Sequence, residues 1–225
     1  MAWDAFDLVV LRSTWDYAER QAEFLAWASS LPGVLNDVPL LEWNTDKRYL
    51  EDIPAAVETA FVPPGATFAP PFEPFVVKPS VSAGGRSSAR FGPDEHPAAH
   101  DLVARIHAEG RTAMIQQFIE REEKALVYID GAYSHALRRR VPLPSGGERS
   151  VLYLDEELAP AEATAEERAI AEAALAYAPG DPLYARVDLL GGAVLELELT
   201  EPSLYLAFGE GSPERLAAAI AGRLP

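Results

Sequence analysis

The sequence predicts a mixed fold, in which an N-terminal α/β part precedes an α+β part. Near the N-terminus, the largely apolar run Phe6 to Leu11 (FDLVVL) is typical of a strand buried on both faces. Later in the chain, two pairs of β-rich segments are joined by the turns Asp130-Gly131 and Gly191-Gly192, which indicates two antiparallel hairpins. With 225 residues, 48% of them hydrophobic, the chain can bury a substantial core in one or two domains.

Composition excludes several classes of function. The net charge of −16 disfavours binding to nucleic acid or to an anionic membrane surface, because both would repel the protein. The absence of cysteine excludes disulfides and thiol catalysis. No apolar run approaches the ~20 residues that span a bilayer, and the N-terminal residues lack the features of a signal peptide. We therefore expect a cytoplasmic protein that acts on small molecules.

The loop RSTWDY follows the first predicted strand. Ligands of open α/β sheets bind at the carboxyl ends of strands, so Arg12, Ser13 and Trp15 are candidate substrate contacts. An alternative interpretation is a helix entry with Ser13, Thr14 or Asp16 as the N-cap.

Shorter elements are predicted up to residue 74. A helix should cover Ala18 to Ser30, a short strand Val34 to Asn36, and a short helix capped by Asn44 or Thr45 should carry Lys47 to Leu50. The proline-rich stretch Pro54 to Pro74 is interpreted as an irregular connector and as a domain boundary.

A second buried strand, Phe75 to Pro79, leads into the loop SVSAGGRSS and a short strand at Ala89 to Phe91. A loop of such small residues can place backbone N–H groups around phosphate oxygens, with Lys78 supplying charge. The alternative is an ordinary flexible turn. The motifs GxxxxGK[ST] and GxGxxG are absent, which disfavours a P-loop ATPase and a dinucleotide-binding Rossmann enzyme.

The middle of the chain predicts a helix at Pro97 to Glu109 and a strand at Met114 to Ile119. A hairpin of Leu126 to Ile129 and Ala132 to Leu137 then runs into the basic triplet 138–140. These arginines either bind an anion or keep an edge strand soluble. A loop at Pro142 to Arg149 follows.

Two helices are predicted in the C-terminal part. Thr164 should cap a helix that runs to about Tyr177, and Ser212-Pro213 should open a final helix that ends near Arg223.

The hairpin formed by Tyr184 to Leu190 and Ala193 to Leu199 carries the main candidate for a metal site. Strand residues two apart share a face, so one face can hold Arg186 and Asp188 on the first strand and Glu196 and Glu198 on the second. Three neighbouring carboxylates destabilise a sheet unless a cation neutralises them, and oxygen ligands suit Mg²⁺ or Mn²⁺. A solvated outer face is the alternative interpretation.

Several motifs in this order resemble the ATP-grasp superfamily. They are VVKP before a small-residue loop, QQFI followed by a glutamate, and an R-V-D strand followed by an E-x-E strand. Within the superfamily, the chain is similar to stand-alone glutathione-synthetase-like ligases, a group similar to the ring-closing ligase of D-cycloserine formation. The segments RSTWDY, WNTDKRYL, SAGGRSSARF, IDGAYSHALRR and ELTEPSL carry this closer likeness.

The resemblance implies a function for each matching position. Lys47 and Lys78 would contact the ATP phosphates, and the loop that contains Ser82, Gly84 and Gly85 would cover them. The hinge strand Gln116, Gln117, Phe118 and Ile119 would pair with adenine, and Glu123 would bind the ribose. Asp188, Glu196 and Glu198 would bind Mg²⁺ or Mn²⁺, with Glu201 as an alternative to Glu196. Arg186 and one arginine of the basic triplet, assigned here as Arg138, would stabilise the transferring phosphoryl group.

The resemblance also implies a division of the chain. Residues 1–53 would form a partial substrate-side domain, 54–74 a connector, 75–119 the small ATP-grasp lobe and 120–225 the large lobe. The N-terminal domain is expected to be shortened, because family members usually carry about two more strands before Phe6. An exposed sheet edge would follow, which a second subunit could cover in a homodimer.

The activity implied is ATP-dependent ligation of a carboxylate to an amine through an acyl phosphate, with release of ADP and phosphate. Phosphoryl transfer needs positioning and charge neutralisation rather than a side-chain nucleophile, which agrees with the absence of cysteine. The excess positive charge near the expected site indicates a small polar, anionic substrate. A catalytically degenerate relative that only binds ATP and a structural module with a solvated acidic hairpin are the alternatives.

Overall fold

The computed structural model describes residues 2–140 and 156–225 and contains three β-sheets with five α-helices in that part of the chain. A two-stranded parallel sheet lies near the N-terminus, followed by a four-stranded and a five-stranded sheet. The mixed α/β and α+β class predicted from the sequence is therefore confirmed. Among the described residues, no helix is both long enough and apolar enough to cross a membrane.

The N-terminal strands are shorter than predicted. Strand β1 (Val9–Val10) pairs in parallel with β2 (Val34–Leu35), so only two residues of the predicted strand Phe6 to Leu11 are in a ladder. The partner strand limits the pairing, because Asn36 adopts a positive φ of 60° directly after it. The Asn36 side chain donates to the carbonyls of Tyr184 and Leu199, which fixes this turn against the large sheet.

The first helical region is divided rather than continuous. A 3-10 helix at Trp15–Glu19 precedes helix α1 (Gln21–Ser29), whereas one helix from Ala18 to Ser30 was predicted. The break lies at Arg20, whose φ of −135° and ψ of 42° are not helical.

Helix α2 (Val38–Thr45) was not predicted from the sequence. Asp37 caps it by accepting a bond from the Leu40 amide, and Pro39 lies in its first turn. The following 3-10 helix, Lys47–Glu51, is capped by Asp46, so the prediction of Asn44 or Thr45 as the cap is wrong.

The four-stranded sheet is antiparallel and has the strand order β3-β6-β4-β5. Its strands are β3 (Thr59–Val62), β4 (Phe75–Pro79), β5 (Ala89–Phe91) and β6 (Ala113–Gln117). Helix α3 (His96–Ala108) packs on this sheet. The segment predicted as an irregular connector therefore contains a strand, because its prolines flank the β-forming run TAFV rather than interrupt it.

The five-stranded sheet carries both predicted hairpins and has the order β11-β10-β7-β8-β9. Its strands are β7 (Glu123–Ile129), β8 (Ala132–Arg140), β9 (Glu157–Ala161), β10 (Tyr184–Leu190) and β11 (Ala193–Glu198). All four central turn residues have positive φ, as tight hairpins of this kind require. Strand β9 was not predicted, because its glutamate and proline do not suit a central strand and it lies at the edge. The loop predicted at Pro142 to Arg149 lies outside the described residues.

The two faces of the large sheet have different environments. Helix α4 (Ala165–Leu175) covers one face with Ala171 and Ala174. Thr164 caps it as predicted, and the Glu167 side chain accepts a bond in return from the Thr164 amide. Helix α5 (Ser212–Ala221) begins after Gly211 and packs near β7. Because side chains alternate along a strand, the face opposite α4 presents every second residue of β7, β8, β10 and β11.

Candidate active site

A cleft of about 1260 Å³ is lined by the N-terminal part, the small sheet and the face of the large sheet opposite α4, part of which α5 covers. Most of the predicted site residues line it, namely Trp15, Lys47, Lys78, Ser82, Gly84, Gly85, Gln116, Gln117, Phe118, Ile119, Glu123, Arg138, Arg186, Glu196 and Glu198. The fold thus brings together residues that are far apart in sequence.

The carboxylates of the C-terminal hairpin meet on the face of the large sheet opposite α4. In the β10–β11 ladder, Arg186 lies opposite Glu198 and Asp188 lies opposite Glu196. Oxygen atoms of Asp188, Glu196 and Glu198 all lie within 4.8 Å of one another. Asp188 is fully buried and Glu196 and Glu198 are half-buried. This oxygen-only donor set fits Mg²⁺ or Mn²⁺, and Glu201 is not part of this group.

Two buried arginines neutralise this set. The Arg186 guanidinium donates to both oxygens of Asp188, at 2.8 Å each, and also pairs with Glu198 at 2.5 Å. Arg139 donates to Asp188 at 2.9 Å and to Glu156 at 3.0 Å, and pairs with Glu123 at 3.0 Å. A buried charge is tolerated only when an opposite charge and hydrogen bonds compensate it, as these pairs do.

Arg138, the arginine assigned to catalysis, does not reach the carboxylates. It lies opposite Lys124 in the β7–β8 ladder and pairs at 3.4 Å with Glu122, another residue of the cleft lining. A β-bulge between Val127 and Tyr128 shifts the register of this hairpin by one residue. The shift places Arg139 instead of Arg138 opposite Glu123.

The lysines lie at one end of the carboxylate set. Lys78 Nζ is 3.5 Å from Glu196 Oε2, and Lys47 Nζ is 3.9 Å from the same oxygen. Lys47 also donates to the Ser82 carbonyl at 2.7 Å, which ties the short 3-10 helix to the small-residue loop. Gly84 and Gly85 have φ values of 62° and 69°, which residues other than glycine rarely adopt.

These contacts separate the pKa values of the carboxyl groups. Burial acts to raise the pKa of Glu196, but the Lys78 and Lys47 ammonium groups outweigh it and hold that pKa well below its usual range. Burial and then the negative charge of Asp188 raise the pKa of Glu198 to about 7 and the pKa of Glu123 to about 8. The site therefore contains carboxyl groups of different basicity.

The predicted adenine-binding strand is partly engaged by the protein itself. The Gln116 side chain donates to Thr59 Oγ1 and to the Leu195 carbonyl, both at 3.2 Å. The amide groups of Gln117 and Phe118 donate to the carbonyls of Glu58 and Pro74. Any pairing of adenine with this strand would therefore use its remaining main-chain groups. Glu123, predicted to bind ribose, contacts Arg139 of the carboxylate cluster.

The N-terminal candidates lie beside this cluster. The Arg12 guanidinium is 5.4 Å from the centre of the Tyr184 ring. The Tyr184 hydroxyl donates to the carbonyls of Leu11 and Thr200, so residues 12 and 201 are held on neighbouring segments. Ser13 has a positive φ of 57° and Trp15 lines the cleft.

The cleft residues to which the sequence analysis gave no function include Tyr17, Arg139, Glu156 and Tyr205. The ring of Tyr205 lies beneath the guanidinium groups of Arg139 and Arg186, at 5.9 and 5.6 Å, and its hydroxyl donates to Glu156 at 2.6 Å. Arg139 belonged to the basic triplet and Tyr17 to the RSTWDY segment, whereas Glu156 and Tyr205 lay outside the quoted motifs. Nothing in the sequence distinguishes the two tyrosines from core aromatics.

Glu201 gives the protein a pH-dependent stability. Burial, and then the charge of Glu198, raise the pKa of its carboxyl to about 8 in the folded state from 4.5. Between these values the folded protein binds more protons than the unfolded chain, so unfolding becomes easier as pH rises. We expect Glu201→Gln, which mimics the protonated acid, to match the parent at pH 5 and to be more stable at pH 8, on the order of 3 kcal/mol.

Urea unfolding at the two pH values in EDTA measures this difference. The exposed Glu58→Gln serves as the matched control and should show no pH-dependent gain. An equal difference between Glu201→Gln and the parent at both pH values would contradict the prediction.

Comparison with known proteins identifies the family. A family model described as the N-terminal domain of D-cycloserine synthetase DcsG matches residues 1–36. The cycloserine biosynthesis protein DcsG of Streptomyces lavendulae is 37% identical over 99% of this chain and 85% of its own length. A crystal structure of D-cycloserine synthetase DcsG superposes with a TM-score of 0.85 at 32% identity, covering 100% of this chain and 86% of the other.

A more distant structure shares the fold. The D-alanine–D-alanine ligase of Bacillus anthracis, complexed with ATP, gives a TM-score of 0.68 at 14% identity, covering 97% of this chain and 79% of that chain. The sequence similarity to DcsG, the shared fold and the cleft geometry agree, and the chain belongs to the ATP-grasp ligases, in the family that contains DcsG.

Proposed function

We propose that this protein joins a carboxylate to an amine at the expense of ATP, through an acyl phosphate, and releases ADP and phosphate. The observation that carries the proposal is the group of three carboxylates with two lysines at one end and two arginines beside it. Few chemistries other than phosphoryl transfer need negative ligands and positive side chains so close together.

The carboxylates would hold the divalent metal. Asp188, Glu196 and Glu198 supply the hard oxygen ligands that Mg²⁺ and Mn²⁺ take, and the bound metal would neutralise charge on the phosphate oxygens. The low pKa of Glu196 keeps one ligand ionised before any metal arrives.

The lysines and the small-residue loop would bind the phosphates. Lys47 and Lys78 point compact positive charges at the same end of the cleft, and Ser82, Gly84 and Gly85 line the cleft beside them. Closure of this loop would keep water away from the acyl phosphate and so limit its hydrolysis.

The arginines would stabilise charge on the transferring phosphoryl group. Arg186 and Arg139 each hold Asp188, and the Nε of Arg139 has no hydrogen-bond partner among the described residues. That donor is free to bond an additional oxygen. Arg139 therefore takes the function that the sequence analysis assigned to Arg138.

The remaining assignments concern substrates and assembly. We propose a small polar substrate near Arg12, Ser13 and Trp15, at the end of the cleft formed by the N-terminal part. We also propose a cytoplasmic homodimer, in which the second subunit covers the exposed edge of the two-stranded sheet.

Thermal unfolding with ATP, with and without Mg²⁺, tests the proposal. A ligand that binds only the folded state stabilises it, by about 2.7 kcal/mol at a concentration of 100 times its Kd, and so raises the melting temperature. We expect an ATP shift that needs Mg²⁺, followed by ADP release when amino-acid pairs are added. A Mg²⁺-dependent shift without ADP release for any pair would favour the catalytically degenerate alternative, and no shift at millimolar ATP would refute both.

A further inference from the structure

The outer edge of strand β11 is paired by side chains instead of by another strand. This strand lies at the end of the five-stranded sheet, so its outward N–H and C=O groups need partners from elsewhere. Main-chain pairing on this edge occurs at the bridge between Ala56 and Val194. Further along the strand, Leu197 and Leu199 present their amide and carbonyl groups to side chains of the N-terminal part.

Two side chains of the N-terminal part hold the peptide groups of Leu197. The Tyr49 hydroxyl donates to the Leu197 carbonyl and accepts from its amide, both at 2.9 Å. The Asn44 amide group also donates to this carbonyl at 2.9 Å. The Asn44 oxygen accepts from the amides of Leu199 and Thr200, at 2.8 and 3.1 Å. Asn44 and Tyr49 thus take the place of a neighbouring strand over this stretch.

Leu197 lies between two of the candidate metal ligands. Because Glu196 and Glu198 are its neighbours in the chain, the position of the Leu197 peptide groups determines where both carboxylates start. The ladder with β10 fixes the inner side of the strand, and the two N-terminal side chains fix its outer side. The ring of Tyr49 is itself held by stacking on Trp43, with ring centres 4.7 Å apart. The spacing of the two carboxylates therefore depends on these bonds.

The same N-terminal segment carries one of the phosphate-binding candidates. Lys47 lies between Asn44 and Tyr49 in the chain, and its ammonium is 3.9 Å from Glu196 Oε2. Its amide donates to the Ser80 carbonyl at 2.9 Å, at the start of the small-residue loop. Asn44 is 6% exposed and Tyr49 is 4% exposed, so packing restricts both side chains. One short segment thus fixes the lysine relative to the carboxylates.

We propose that Asn44 and Tyr49 are positioning residues, which set the metal affinity of the candidate site through the backbone of β11. This inference rests on the proposed function. Groups that hold metal ligands in place from outside the coordination sphere typically change metal affinity or activity by about 10–100-fold when they are removed. Here the support passes through the main chain, because the bonds from both side chains end on residues that flank the carboxylates.

Binding of Mn²⁺ tests this positioning directly. The full chain, saturated with a non-hydrolysable ATP analogue, is titrated with Mn²⁺, and electron paramagnetic resonance separates the free ion from the bound ion. Tyr49→Phe removes only the hydroxyl, and Asn44→Ala removes the side-chain amide. We expect each variant to bind Mn²⁺ about tenfold or more weakly than the parent.

Matched controls separate positioning from stability. Tyr128→Phe makes the same chemical change on the same sheet, where the hydroxyl bonds to the Arg168 carbonyl. Asn36→Gly removes an amide that bonds to Tyr184 and to Leu199, beyond both carboxylates, and it tolerates the positive φ of residue 36. Both controls should keep the Mn²⁺ affinity of the parent within about twofold, even where urea unfolds them more easily.

Two results would overturn the inference. One is an unchanged Mn²⁺ affinity in either folded variant, and the other is an equal loss of affinity in controls of matched stability. Should Asn44→Ala fail to fold, Tyr49→Phe decides, because it keeps the ring and its packing. The parent is measured in the same series. A parent that binds no Mn²⁺ with the ATP analogue would refute the proposed function together with this inference, whereas a parent that binds beside unaffected variants would refute this inference alone.

Discussion

Asp188→Asn should abolish Mg²⁺-dependent stabilisation by ATP and lower turnover by about a thousandfold or more. Asp188 is the centre of the candidate metal group, and both of its oxygens are bonded to arginine. An amide keeps the shape of the side chain but removes the charge that a divalent metal and two guanidinium groups require. ADP release and the ATP-induced change in melting temperature measure the effect.

The same change should also destabilise the folded protein. Arg186 would keep only Glu198 as a charged partner, and Arg139 would keep Glu123 and Glu156. Breaking a buried ion pair costs about 3–5 kcal/mol when no partner remains, so we expect a loss of up to that size. Glu198→Gln, at a more exposed side chain, separates the two effects, because it should lose Mg²⁺ dependence with a smaller loss of stability. The exposed Asp101→Asn is the control. A folded Asp188→Asn protein that keeps its turnover would exclude Asp188 as a metal ligand.

Local patterns were sufficient for the elements that carry the chemistry. Glycine turns with positive φ fixed both hairpins, and the alternation of side chains predicted that Asp188, Glu196 and Glu198 share a face. The strand Phe75–Pro79 and its loop were recognisable because an apolar run ends in a lysine and small residues. Such signals are encoded within about ten residues and need no knowledge of distant contacts.

Errors arose where distant residues decide the structure. Strand β3 forms because β6 pairs with it, and the prolines around it concealed this partner. Strand β1 is short because Asn36 turns away to bond with Tyr184 and Leu199, which lie 148 and 163 residues later. Sequence spacing left open whether Glu196 or Glu201 belongs to the metal group. The structure groups Glu196 with Asp188 and Glu198, because these three carboxylates lie close together in space.

A β-bulge explains why Arg139, rather than Arg138, reaches the carboxylates. The ladder pairs Tyr128 with Tyr133 but Val127 with His135, so one residue of β8 is skipped. Side-chain alternation then directs Arg139 to Asp188 and Glu123, whereas Arg138 pairs with Glu122 and does not reach the metal group. Bulges are not marked by any residue type here, so the sequence predicts the basic triplet but not which of its members reaches the site.

Arg139→Ala and Arg138→Ala therefore form a matched pair, in which we expect a large loss of turnover for the first and little change for the second. Arg139 is only 10% exposed at its side chain and bonds Asp188 and Glu156, while the side chain of Arg138 is 46% exposed. Removing Arg139 should lower turnover by about a hundredfold to a thousandfold, since charge on the phosphoryl group loses a preorganised donor. Removing Arg138 should change turnover by about twofold or less, as for an exposed pair.

Arg139→Lys distinguishes charge from geometry in this effect. A lysine keeps the positive charge but cannot bond two carboxylates and a phosphoryl oxygen with one planar group, so we expect activity between Arg139→Ala and the parent. Melting temperatures of the three variants show whether lost activity reflects unfolding. Should Arg138→Ala lose as much turnover as Arg139→Ala in folded protein, the register set by the bulge would not govern the chemistry, and the basic triplet would act through Arg138 as the sequence alone suggested.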